Sequence, residues 1–101
     1  MDELELPLKT RLNLETGRIT WQELGLFFAR GRILQVAASV DLIEVASALA
    51  NDEAEQVAVW LSTQQLQVLP DATAKEWVAD DTNLWAVVVA PWVIVQKRQE
   101  A

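Results

Sequence analysis

Cysteine, histidine and tyrosine are all missing from this 101-residue chain. Without cysteine there is no disulfide framework, no thiolate nucleophile and no thiolate zinc site. Without histidine there is no imidazole base, and the common zinc and iron sites are excluded as well. Positive charge is scarce: eight Lys and Arg stand against fifteen Asp and Glu, a formal net charge of −7. That balance opposes a phosphate backbone, where affinity comes from neutralising charge with Lys and Arg, so no nucleic-acid partner is expected. The longest apolar run, Leu84–Val95, is interrupted by Pro91 and falls short of the ~20 residues that span a bilayer. The opening Met1-Asp2-Glu3-Leu4-Glu5 is acidic and lacks the apolar stretch of a secretory signal. The expectation is a soluble, cytoplasmic protein with no membrane partner, no cofactor, no metal ligands and no catalytic residue.

What is present argues for a folded chain. Hydrophobic residues make up 51% and charged residues 23%, a balance unlike that of disordered segments. The length has room for a single domain over residues 1–101, burying roughly two-thirds of the surface an unfolded chain exposes. Trp21, Trp60, Trp77, Trp85 and Trp92 are many for this length. Each contributes up to ~5 kcal/mol if fully buried, an upper bound that assigns them to core or interface.

The segments are legible from their caps and spacing. Pro7 fits the first turn of a short helix carrying Leu8 and Leu12, closed by Thr16-Gly17. Thr20 and Glu23 form a capping box, Ile19 and Leu24 a hydrophobic staple, and Gly31 a left-handed stop, predicting a helix over about Trp21–Arg30. Its apolar stripe is Leu24, Phe27 and Phe28. Arg32–Ala38 reads as a strand. Asp41 with Glu44 caps a helix carrying Leu42, Val45, Ala46 and Leu49, which Asn51-Asp52 breaks. Asp52 with Glu55 caps another, with Val57, Trp60 and Leu61 on its apolar face. Leu66–Leu69 is a short strand ended by Pro70, and Asp71 or Thr73 caps a helix bearing Ala74, Trp77 and Val78. Leu84–Val95 is the strongest β signal, either one strand bent at Pro91 or a hairpin turning at Ala90-Pro91. The sum is an α+β domain of four to five short helices with a small antiparallel sheet. Without the Asp71–Asp81 helix, the order is winged-helix-like; the alternative places the helices on one face of the sheet.

Three stretches resemble a known family: Ile19–Gly31 (ITWQELGLFFARG), Val40–Ala46 (VDLIEVA) and Leu84–Gln96 (LWAVVVAPWVIVQ). The chain resembles, from about Leu12 to Gln96, a bacterial family of uncharacterised small proteins, domain of unknown function 2288. The resemblance implies a bacterial origin and a freestanding small protein, and it carries over no activity, cofactor or site residue.

Among charged constellations, Asp41/Glu44 and Asp52/Glu53/Glu55 could hold a hard cation, but every member also stands where a helix N-terminus wants a cap or an acid. Asp80-Asp81 could act as paired acids, and equally forms a solvated exit from a helix. Arg30 and Arg32, with Arg18, are the candidate anion-facing residues. The helix in the recognition position of a winged helix has no Lys or Arg and begins with Asp52, Glu53 and Glu55, so that face repels DNA. The tail Gln96–Glu100 reads as a soluble cap on an aggregation-prone strand.

The C-terminal run is apolar on both parities, with Trp85, Val87 and Val89 on one and Leu84, Val88, Trp92 and Ile94 on the other. Both faces therefore want cover. The run is either a central strand or folded hairpin buried inside the monomer or a strand covered by a second copy; the second copy is favoured, which makes Trp85, Val87, Val89, Trp92 and Ile94 the candidate interface of a homodimer. The resulting expectation is a non-enzymatic interaction module, homodimeric or bound to another protein. A winged-helix-like domain docking a protein and a carboxylate-based, divalent-metal-dependent enzyme are the alternatives.

Overall fold

The computed structural model describes residues 6–98. The acidic Met1–Glu5 and tail residues 99–101 lie outside them, while Gln96 and Lys97 belong to the last strand. The elements follow one another as α1 (Leu8–Glu15), β1 (Gly17–Ile19), α2 (Trp21–Ala29), β2 (Ile33–Val36), α3 (Leu42–Ala50), α4 (Ala54–Ser62), β3 (Leu66–Val68), α5 (Asp71–Asp80), β4 (Leu84–Val89) and β5 (Trp92–Lys97).

Local chemistry places most of these boundaries. The Thr20 hydroxyl accepts from the Glu23 amide at 3.3 Å and starts α2. The Asp41 carboxylate accepts from the Ile43 and Glu44 amides at 2.8 and 3.4 Å and starts α3. At the far end of α2, Gly31 takes φ 67°, and the Gly31 and Arg32 amides bond the Phe28 and Phe27 carbonyls at 2.9 and 3.0 Å. This is the Schellman closure expected of a glycine.

The same closure ends α3, α4 and α5 on residues that are not glycine. Asp52, Gln64 and Asp81 sit at φ 55°, 61° and 49°. The amides that follow them bond back to Ala48, Trp60 and Trp77. This corrects the reading of Asp52, which is used in ending α3 and does not cap α4. Helix α4 starts behind Glu53 without a side-chain cap. Neither Asp71 nor Thr73 caps α5; that helix begins at Asp71 directly behind Pro70, where the carboxylate favours the helix dipole.

The apolar C-terminal run is a hairpin that turns at Ala90-Pro91, whose peptide bond is cis. It forms the second and third strands of a five-stranded sheet ordered β1-β4-β5-β2-β3. β1 is too short to show a period of two in the sequence, and it pairs Gly17–Ile19 with Leu84–Ala86. The sheet is mixed, because β2 runs parallel to β5, with Ile33 opposite Val93 and Leu34 opposite Ile94. The other three pairings are antiparallel, as expected.

Alternation along the strands divides the core in two. Leu34, Val36, Leu66, Val87 and Ile94 face Leu12 of α1 and Leu42, Val45 and Ala46 of α3. Ile33, Leu84, Ala86, Val93 and Val95 face Leu24 of α2 and Ala74 and Trp77 of α5. The described residues form an α+β domain of five helices, which cover both faces of the sheet rather than one. With α2 opposite α3, the three helices of the winged-helix-like order do not gather into one bundle. Among the described residues, no helix is long and apolar enough to cross a membrane.

Candidate interaction surface

The acidic residues serve the backbone. Asp41 caps α3, Asp52 and Asp81 end helices in the left-handed conformation, and the exposed Glu53 and Glu55 stand just before α4 and in its first turn. Glu44 receives a 2.7 Å hydrogen bond from Lys9, joining α1 to α3. That bond, together with the charge of Glu44, holds the Lys9 ammonium above the ordinary lysine pKa. Among the described residues, no three acids come together as a metal site would require.

Arg30 and Arg32 are both exposed on either side of Gly31. The Arg32 guanidinium lies 5.7 Å from the centroid of the Trp92 ring. Arg18 is not beside them. It stands over Trp85 at 5.9 Å, and Arg98 approaches the same ring at 5.3 Å. Trp85 and Trp92 belong to opposite ends of the hairpin, which is register-paired from Leu84–Lys97 to Val89–Trp92. These arginines lay their guanidiniums on indole faces left half-exposed by the helices, a cation–π contact.

The candidate homodimer strand is covered from within. Val87 and Ile94 are 1% and 0% exposed beneath α1 and α3, so neither is free to meet a second copy. Trp85, Val89 and Trp92 pack half-buried against the same cluster. Four of the eight largest fully buried side chains belong to this hairpin (Val87, Val93, Ile94 and Val95). The two-sided apolar pattern is therefore that of a central hairpin clothed on both faces by the chain's own helices.

Hollows of about 560 Å³ beside Asp80, Asp81, Lys97 and Arg98 and about 480 Å³ beside Glu53, Glu55 and Val59 lie at helix ends, and two further concavities lie on opposite sides of the sheet. A hollow of about 600 Å³ on the α1/α3 side is lined in part by Asn13, Thr16, Ser39, Asp41, Trp85 and Gln96. Several of its polar groups are already engaged. Gln96 Nε2 donates to the Ala37 and Val40 carbonyls at 2.9 and 2.6 Å, Thr16 Oγ1 to the Leu12 carbonyl at 2.7 Å, and Asp41 caps α3. The bonds tie the β2–α3 loop to the sheet, and no nucleophile with a neighbouring base lines this hollow.

The second concavity is a trench of about 470 Å³ on the opposite side, between α2 and α5. Trp21 and Phe28 form one wall, with ring centroids 5.6 Å apart at 54°. Ala74, Val78 and Ala79 form the other, with Asp71 and Lys75 as its charged residues. The trench continues into a smaller hollow of about 320 Å³ that shares Phe28 and Asp71 and reaches Val68 and Leu69 of the sheet edge. Trp21 and Phe28 are half-buried, and Val78 is 52% exposed. Here the fold leaves apolar side chains open to an occupant.

In the sequence Phe28 stands in a stripe with Leu24 and Phe27, and Val78 beside Ala74 and Trp77; neither pattern alone marks a trench. A signal was available in α2, where Trp21, Leu24, Leu26, Phe27 and Phe28 exceed what one helix face can bury; of these only Leu24 is fully buried.

The family described as "Protein of unknown function (DUF2288)" matches residues 7–97. The NMR solution structure of PA1075 from Pseudomonas aeruginosa is similar over 92% of this chain and 86% of its own, with 53% sequence identity and a TM-score of 0.81. No curated protein matches the sequence.

Proposed function

The chain belongs to the DUF2288 family of proteins of unknown function, and for it we propose a non-enzymatic role as an interaction module whose working surface is the α2/α5 trench. The observation that carries this reading is an open apolar trench beside a glycine that the fold does not need. Gly25 lies inside α2, on the stripe of Trp21 and Phe28 by helical spacing. A Cβ added there meets nothing within 4 Å. Glycine within a helix costs roughly 0.5–1 kcal/mol relative to alanine, and neither packing nor a positive φ explains it here. A bare position beside two aromatic rings lets an outside surface come close. The role of the trench is to receive apolar side chains of a protein surface, in the manner of a helix groove.

The test is site-specific photocrosslinking in cells. A photoreactive residue placed at Ala79, in the trench, is expected to give a discrete protein adduct. The same residue at exposed Asn13, on the opposite side, is expected to give none. No adduct from Ala79, or the same adducts from both positions, would overturn the reading.

A further inference from the structure

We infer that the trench is occupied by a second copy of this chain, related by a twofold axis that sets the two trenches face to face. The inference rests on the trench reading above and adds its partner. A chain with net charge −7 repels its own copy across most of its surface. The trench differs: its charged lining is one acid, Asp71, and one base, Lys75. The two lie one turn apart on the same side of α5. They are not paired with each other, since the ion pair found among the described residues is Lys9–Glu44.

A twofold axis passing between Asp71 and Lys75 sets two α5 helices antiparallel. Asp71 of each copy then meets Lys75 of the other, as an isologous interface requires. The same operation exchanges the ends of the trench. Val78 at one end, 52% exposed, is carried toward Val68 at the other, 51% exposed. Charge and apolar exposure are thus each self-complementary about one axis, and Gly25 leaves room on the stripe of the facing rings.

The experiment is solution mass by light scattering on the full chain, dilute and concentrated, with charge-reversed variants. Wild type is expected to rise from 11.3 kDa toward twice that mass with concentration. Asp71→Lys and Lys75→Asp, at exposed positions, are expected to stay folded by circular dichroism and to dissociate about 100-fold more readily, because like charges then face each other. Mixing the two variants is expected to restore the dimer, since each supplies the charge the other lacks. A wild-type monomer at every concentration would overturn the second copy. A dimer indifferent to both reversals, or one not restored by mixing, would overturn the proposed pairing. These outcomes are separable from the trench reading. A foreign adduct at Ala79 with a monomeric chain rejects the second copy alone, whereas no adduct and no dimer rejects both.

Discussion

Among the described residues each face of the sheet buries a cluster of nine, yet the two faces are finished differently. On the α1/α3 side the seams are tied. Gln96 bonds the β2–α3 loop, Lys9 bonds Glu44 across the two helices, and arginines lie on the half-exposed Trp85 and Trp92. On the α2/α5 side the helices stand apart, with Trp21, Phe28 and Val78 lining the gap. Equal cores with unequal closure show that burial alone does not identify a working surface. What distinguishes the α2/α5 side is a concave gap with an almost wholly apolar lining between its two helices.

The sharpest break in the comparison pairs one substitution from each side. Ile94→Ala, at a position with no exposure, is expected to cost about 2–5 kcal/mol in urea unfolding, from lost transfer energy and the cavity left behind. Val78→Ser is expected to change stability by less than about 0.5 kcal/mol, as surface positions do, while abolishing the Ala79 crosslink. Comparable destabilisation by both would mean that the trench is core. Next in size is Gln96→Leu, which removes the side-chain donor from the Val40 carbonyl and leaves the Ala37 carbonyl only its 3.1 Å bond from the Val40 amide, and is expected to cost about 1–3 kcal/mol. An unchanged urea midpoint would show that these bonds do not close the α1/α3 seam.

A smaller effect of opposite sign is expected where α4 ends. Gln64 at φ 61° accepts a conformation that disfavours any Cβ, so Gln64→Gly is expected to stabilise by about 1 kcal/mol. A loss of stability would mean that the side chain contributes more than the strain removes.

The smallest expected effect concerns Lys9. Its pKa is raised in the folded state by Glu44, so the folded chain holds the proton more tightly than the unfolded one. The contribution is complete below the unfolded value of about 10.5 and fades as the pH rises through the raised folded value. Wild type is expected to lose slightly more stability across that window than Lys9→Met. Identical pH profiles would remove the pair from the account.

Much of the fold was legible because capping is local. Thr20, Asp41 and Gly31 each act within a few positions of their own helix, and the chain reads accordingly. Local readings failed where one residue could serve two neighbouring elements. Asp52 lies between two helices, and the Schellman closure of α3 took it. Strand β1, only three residues long, gives no period to detect. The hairpin's two apolar parities announced that both faces needed cover, but not whose cover it was. That depended on five helices dividing between two sides, which is a property of the whole chain. The trench was hidden for the same reason. Phe28 and Val78 belong to separate helices far apart in sequence, and each alone reads as core.

The most direct test of the central claim, that the α2/α5 trench is kept open for an outside surface, is Gly25→Leu, followed by urea unfolding and the Ala79 crosslink. Stability is expected to rise by roughly 0.5–1 kcal/mol from helix propensity, with the adduct lost because the added side chain obstructs the approach. A less stable protein, or a stable one with the adduct intact, would contradict it.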